Sequence, residues 1–244
     1  MDSASDLWLC LAVAMVAWLY SSVGHAGASG YIALMTLSGL APERIKPLAL
    51  LLNILVATIA SVQFYRAGHF SWDLFWPVAL LAPPMAFFGG YCRLPMEWFK
   101  LLLGVVLAAS ALWLLNPIKH EPREQVVSKP IAIGLGACVG FLSGLTGTGG
   151  GIYLTPLLLF LGWAKTKTAS AVSAVFIGVN SIAGLAGVVR SGSPMPQGWV
   201  WLAVAVVIGG SIGATLGSFR FPVGLARIML SMVMSIAAAK LLLG

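Results

Sequence analysis

Two short glycine-rich stretches hold the residues of this chain whose types and spacing fit ligand binding. The first reads SSVGHAGASGY, residues 21–31, and the second reads SGLTGTGGGIY, residues 143–153. Glycine adopts positive φ and lets a ligand approach the backbone closely. A helix that begins after such a stretch directs free N–H groups and a partial positive charge into it. Both stretches are therefore predicted to bind an anion without a buried cation.

Polar side chains accompany the glycines and extend the predicted site to fourteen residues. They are Ser22, His25, Gly27, Ser29 and Gly30 near the first stretch, Ser143, Thr146, Gly147, Thr148, Gly149, Gly150 and Gly151 near the second, and Asn53 and Asn180 within long apolar runs. His25 either donates to the anion or caps the interrupted backbone. Each hydroxyl has an alternative partner in a carbonyl of its own helix. The two asparagines line the cavity or hold helices together.

Other kinds of site are disfavoured by what the sequence lacks. No Gly-Lys-Ser/Thr follows the second glycine stretch, and Ile152 stands where the last glycine of a dinucleotide-binding pattern belongs. Cys10, Cys92 and Cys138 form no CxxC pair, so no metal or redox site is predicted. No nucleophile–base pair and no ATP motif is present either. The sequence therefore favours neither an enzyme nor a primary pump, and no cofactor is expected.

The composition places these stretches in a membrane protein. The 244 residues are 59% hydrophobic and 9% charged, whereas soluble domains carry roughly 25% charged residues. This predicts an all-α polytopic protein of the bacterial inner membrane. The net charge of +7 is scattered singly between apolar runs, which is typical of orienting loop charges and not of a nucleic-acid surface. No acidic residue lies in mid-membrane, so cation transport and a carboxylate proton relay are disfavoured.

The apolar runs form two similar series. A shift of 121 residues places Ser22 on Ser143 and Lys46 on Lys167, and a shift of 127 places Trp72 on Trp199. These matches predict two tandem homologous repeats, as in many secondary transporters. The first membrane repeat covers residues 1–115, a polar linker covers 116–130, and the second membrane repeat covers 131–244.

One apolar run in each repeat is unusually short. Residues 31–40 and 152–161 are only ten residues each, or about 15 Å as helix against about 30 Å of hydrocarbon. Each is predicted to form a discontinuous or re-entrant helix with the glycines in the break, at the repeat interface. If the short run completes the preceding span, each repeat crosses four times and both repeats share one orientation. If it crosses separately, each crosses five times and the repeats are inverted. Segment length favours four.

Other glycines recur at every fourth position. Gly136, Gly140 and Gly144 form one such series, and Gly209, Gly213 and Gly217 form another. A small-xxx-small face is typical of close helix packing in membranes. These six glycines are therefore predicted to pack helices and not to bind ligand.

The segment GTGGGIYLTPLLLFLGW, residues 147–163, resembles the glycine-rich signature of the sulfite exporter TauE/SafE family, also called the toluene-sulfonate uptake permease family. Residues 21–70 resemble its first-half counterpart, with Gly-Ala-Ser-Gly in place of a glycine run. The resemblance extends over both halves. It implies about eight spans built from a duplicated four-span unit, and transport of a small sulfur-containing anion such as sulfite, thiosulfate or an organosulfonate.

The expected partners are this anion and membrane lipid, with no nucleic acid, and a homo-oligomer is left open. Two alternatives to a secondary transporter remain from the sequence. One is a channel-like facilitator for a small anion, and the other is a membrane assembly factor that transports nothing.

Overall fold

A computed structural model describes residues 3–40, 42–92, 95–115, 125–192 and 199–219, and eight helical positions between 228 and 243. Its helices are α1 (Ser3–Ser21), α2 (Ala28–Leu37), α3 (Pro42–Arg66), α4 (Trp72–Ala79), α5 (Ala82–Tyr91), α6 (Met96–Leu115), α7 (Lys129–Thr146), α8 (Gly151–Phe160), α9 (Thr166–Arg190) and α10 (Trp199–Phe219). No strand occurs within these ranges. Most of the predicted linker, residues 116–124, lies outside the described residues.

Five segments within the described residues are long and apolar enough to cross a membrane. They are Glu43–Arg66, Trp72–Tyr91, Lys129–Thr146, Thr166–Arg190 and Trp199–Ser218. The second of them holds both α4 and α5, because Pro83 and Pro84 lack backbone N–H groups and interrupt the helix just before them. Leu7, Leu11 and Met15 form an exposed apolar stripe on α1. The predicted all-helical membrane protein is confirmed.

The two short helices run back along the helices that precede them. Gly30 of α2 lies against Val16 of α1, so α2 returns beside α1 and does not extend it. Gln125 N, ahead of α7, donates to the Gly162 carbonyl after α8 at 2.8 Å. Therefore α8 returns to the side where α7 begins. The short helices therefore do not complete the preceding broken span, as segment length favours, because glycines of positive φ turn the chain between the helices.

Two long helices, α3 and α9, cross the middle of the bundle in opposite directions. Asn53 of α3 contacts Ser181 of α9, whereas Ala57, one turn further along α3, contacts Gly178, one turn earlier in α9. The contacts run in opposite orders along the two chains, so the helices are antiparallel. In each of these two helices, 56% of the spanning window is buried inside the bundle.

Both series of regularly spaced glycines pack helices backbone to backbone. On α7, Gly136, Gly140 and Gly144 touch in turn the carbonyls of Val78, Ala82 and Ala86; on α10, Gly209, Gly213 and Gly217 touch those of Ala14, Trp18 and Ser22. A methyl group at any of these glycines would overlap the carbonyl opposite it. The packing prediction is confirmed, and it pairs α1 with α10 and α7 with α4 and α5.

Candidate functional site

The first glycine-rich stretch forms a turn between α1 and α2, here named the first tip (residues 22–27). Gly24 and Gly27 have φ values of +76° and +94°, which only glycine adopts without strain. A Cβ atom at Gly24 would lie 2.5 Å from that of Ser170, so α9 closes over the turn. Ser22 Oγ donates to the Leu19 carbonyl at 2.7 Å. This serine therefore takes its alternative role and bonds its own helix.

The second stretch forms the corresponding turn between α7 and α8, the second tip (residues 147–150). Gly147, Gly149 and Gly150 have φ values of +78°, +76° and +92°. The hydroxyls of Thr146 and Thr148 lie 2.9 Å apart, which ties the end of α7 to the turn. Positive φ at these three positions requires glycine at each of them, and α8 begins directly after them, at Gly151.

Asn53 joins the two tips. Its Oδ1 accepts from the backbone N–H of Ala28, the first residue of α2, at 3.1 Å. Its Nδ2 donates to the Thr148 carbonyl in the second tip at 3.1 Å. The side chain is fully buried halfway along α3. Residues far apart in the sequence therefore meet at one point inside the bundle.

His25 forms a second link between the tips. Its Nε2 lies 3.1 Å from the Gly151 carbonyl, and its Nδ1 lies 3.2 Å from the Val23 carbonyl. A carbonyl only accepts hydrogen bonds, so a ring with one proton donates to one of them and a ring with two donates to both. Both ring nitrogens thus face backbone carbonyls, which is the backbone-capping arrangement of the two that the sequence left open.

Three residues of the predicted site pack α2 against α1. Ser29 Oγ donates to the Tyr20 hydroxyl at 3.0 Å. Gly30 leaves room for Val16, and Gly27 leaves room for the Tyr31 ring. These contacts hold α2 against α1.

Two predicted residues have buried polar atoms without a partner in the part of the chain that the structure describes. They are Ser143, through its hydroxyl, and Asn180, through both atoms of its amide. Ser143 is 0% and Asn180 is 1% exposed. The Tyr31 hydroxyl, near the first tip, is also buried without a partner among the described residues. Buried polar groups are normally hydrogen-bonded, so these atoms retain hydrogen-bonding capacity that no described residue uses.

Lys46 is a cation beside the second tip that the sequence reasoning missed. Its Cγ lies 3.0 Å from the position of a Cβ at Gly147. Its Nζ donates to the carbonyls of Gly89, Gly90 and Cys92 at 3.3, 3.2 and 3.3 Å. These carbonyls end α5, where the helix dipole favours a positive charge. The sequence feature that could have identified Lys46 is its place one turn inside an apolar helix, because charged residues in such positions usually have a function.

Lys46→Met is expected to weaken anion binding about tenfold, because a partly buried positive charge within about 10 Å attracts the anion by more than 1 kcal/mol. Lys167→Met is the matched control. Lys167 also lies in the first turns of a long helix and donates to a helix-ending carbonyl, that of Ser218, at 3.3 Å. Binding isotherms of the two purified variants provide the measurement. Equal losses in both would contradict a specific role for Lys46 at the second tip.

An all-helical bundle with several spanning segments and non-helical backbone buried at its centre defines a multi-pass integral membrane protein of the transporter class. The chain belongs to the sulfite exporter TauE/SafE family, whose model matches residues 9–241. The family is one of membrane transporters and not of enzymes. The resemblance seen in the glycine-rich segments is confirmed.

Several relatives match at different lengths. A probable membrane transporter protein of Sinorhizobium fredii is 38% identical over 239 residues, covering 96% of this chain and 97% of that protein. One of Methanocaldococcus jannaschii is 24% identical over 209 residues, covering 78% and 76%. One of Xylella fastidiosa (strain Temecula1) is 41% identical over 91 residues, covering 36% and 33%. No solved structure matches the chain significantly.

Proposed function

We propose that this protein is a secondary transporter that moves a small sulfur-containing anion, namely sulfite, thiosulfate or an organosulfonate, across the bacterial inner membrane. Membership of the TauE/SafE family supports an anion substrate. The observation that carries the proposal is the meeting of the two glycine tips at Asn53. Irregular backbone at membrane depth is tolerated only where it is buried in protein or lines a cavity.

The anion binds where the tips meet. The helices α2 and α8 begin there, at Ala28 and Gly151, and their N-termini favour negative charge. Glycine at the tips permits a close approach of a small ion to the backbone. No acidic residue of the chain falls in the middle of a long apolar run, so no fixed negative charge opposes the substrate.

The two halves form an inverted repeat around this site. Three features support this arrangement: α3 and α9 are antiparallel, each half has a glycine-turned helical hairpin, and α1 pairs with α10 as α7 pairs with α5. Inverted repeats are common in transporters that expose one central site alternately to either side. The bonds of Asn53 and His25 between the tips then hold the closed state, and opening separates one tip from the other.

Flux measurements on reconstituted protein test the proposal. We expect proteoliposomes to take up sulfite, thiosulfate or an organosulfonate with saturation, and to do so faster when the same anion is present inside. Uptake that saturates without this counterflow would indicate a channel-like facilitator. Absence of flux for every anion of the panel, with correctly inserted protein, would indicate an assembly factor and contradict the proposal.

A further inference from the structure

The Ser143 hydroxyl departs from the behaviour of other hydroxyls in these helices. Buried serine and threonine in a helix usually bond a carbonyl one turn earlier, as Ser22 does with Leu19 and Thr146 does with Leu142. Ser143 Oγ is buried and has no such partner among the described residues. Its Cβ lies 3.2 Å from the position of a Cβ at Gly150, the residue that caps α8. The unpaired hydroxyl therefore lies at the N-terminus of α8.

Asn180 lies on the face of α9 that packs against α7 and the second tip. Phe176, one turn before it, has a ring carbon 2.8 Å from the position of a Cβ at Gly150. Gly184, one turn after it, packs on Gly144 of α7. Residues four apart share a helix face, so the Asn180 amide faces the junction of α7 and α9 beside the second tip. Both its nitrogen and its oxygen are buried there without a partner among the described residues.

We propose that the Ser143 hydroxyl, the Asn180 amide and the N-terminus of α8 form the selective part of the anion site, and that it takes a singly charged oxyanion that still carries a proton, such as hydrogensulfite. The inference rests on the proposed function. The Asn180 Nδ2 and the Ser143 hydroxyl donate to the oxygens of the ion. The Asn180 Oδ1 only accepts, so it requires a donor, and the protonated oxyanion supplies one.

A doubly charged anion fits this site poorly. It has no proton to donate to Asn180 Oδ1, and its lone pairs repel those of that oxygen. The cost of removing an ion from water rises with the square of its charge, and the side chains here are buried. Lys46 lies beside the second tip and supplies one positive charge, which offsets a single negative charge.

The first tip has one buried unpaired group beside it among the described residues, the Tyr31 hydroxyl, but its backbone donor and its serine are already bonded. The Ala28 N–H at the start of α2 is already bonded to Asn53 Oδ1. The Ser22 hydroxyl is bonded to Leu19. The second tip is therefore the selective one, and the first tip closes against it through Asn53 and His25.

Binding of an anion panel to the purified full chain tests the protonation requirement. Titration calorimetry is run between about pH 6 and about pH 8.5 with sulfite, which gains its proton near neutrality, with thiosulfate and sulfate as dianions, and with methanesulfonate as a monoanion without a titrating proton. Above the sulfite pKa we expect the apparent affinity for total sulfite to fall about tenfold per pH unit, following its protonated fraction. The methanesulfonate profile reports any titration of the protein itself. Dianions that bind as tightly as sulfite throughout would overturn the inference.

Two variants test the residues. Ser143→Ala and Asn180→Leu are each expected to weaken sulfite binding at least about tenfold, the loss typical of one or two hydrogen bonds to a charged ligand. Asn180→Leu should also raise the melting temperature of the anion-free protein, because it removes two buried unpaired atoms, whereas a purely structural asparagine would lower it. Ser218→Ala is the matched control. Ser218 is buried near the end of α10, its hydroxyl bonds its own helix, and its loss should leave binding unchanged.

The outcomes separate this inference from the proposed function. Sulfur-anion flux with wild-type affinity in both variants would overturn the inference and leave the transporter standing. Failure of the wild-type chain to bind or move any anion of the panel would overturn both. If a variant does not fold, the anion panel on the unaltered chain decides alone.

Discussion

Gly150→Leu abolishes anion transport in an inserted, folded protein: this is the expected result of filling the second tip. Gly150 has φ +92°, where a residue with a Cβ loses about 1–2 kcal/mol. That Cβ would lie 2.8 Å from the Phe176 ring and 3.2 Å from Ser143 Cβ, and such overpacking adds about 1–3 kcal/mol. The remaining leucine atoms occupy the place of the ion. We expect flux per inserted protein to fall at least about a hundredfold, on the scale of about 1.4 kcal/mol for each factor of ten.

Gly68→Leu is the control for backbone strain alone. Gly68 has φ +75°, and nothing lies within 4 Å of the position of its Cβ. This variant carries the same unfavourable backbone angle in open space, so it should transport at close to the normal rate. Flux is normalised to protein recovered as a single peak in size-exclusion chromatography. Normal flux in Gly150→Leu would refute the site, whereas loss of the protein itself would assign Gly150 to packing.

Asn53→Leu is expected to have the second largest effect, this time on stability as well as transport. The substitution keeps the approximate volume of the side chain but leaves the Ala28 N–H and the Thr148 carbonyl buried without their partner. Each buried unpaired group costs about 1–3 kcal/mol, so the free energy of unfolding should fall by about 2–5 kcal/mol. Thermal unfolding in detergent provides the measurement, and separation of the tips should also stop transport.

Thr58→Ala is the matched control on the same helix. The Thr58 hydroxyl is exposed and bonds the Ile54 carbonyl of its own helix at 2.7 Å, so its removal should change stability by less than about 0.5 kcal/mol. Wild-type melting in Asn53→Leu would show that the asparagine does not hold the tips together.

The class of the protein and the packing of its helices were predictable because they depend on patterns along the chain. Apolar composition requires a membrane, and glycine at every fourth position gives one smooth helix face, as on α7 from Gly136 to Gly144. The direction of α2 and α8 was not predictable from their length. Ten apolar residues extend a span or turn back depending on the sign of φ at the glycines before them, and glycine adopts both signs equally well.

The site could be predicted in part for the same reason. The glycines and hydroxyls of the tips stand next to one another in the sequence, so their clustering was visible. The contacts of Asn53 with Thr148, of His25 with Gly151, and of Lys46 with Gly147 join residues about a hundred or more positions apart. Whether Asn180 lines a site or joins helices depends on which neighbours the fold brings to it, and no pattern within α9 specifies them.

The glycine contacts between α1 and α10 also constrain how the protein is made. Ribosomes deliver α1 to the membrane well before α10, yet the carbonyls of Ala14, Trp18 and Ser22 fit closely against Gly209, Gly213 and Gly217 of α10. Until α10 has been inserted, this face of α1 lies against lipid or the insertion machinery. A chain that stops before residue 199 therefore lacks the closing helix, and membrane proteases should remove it. Close packing of α1 is therefore completed only after α10 has been inserted, and quality control of this contact falls late in synthesis.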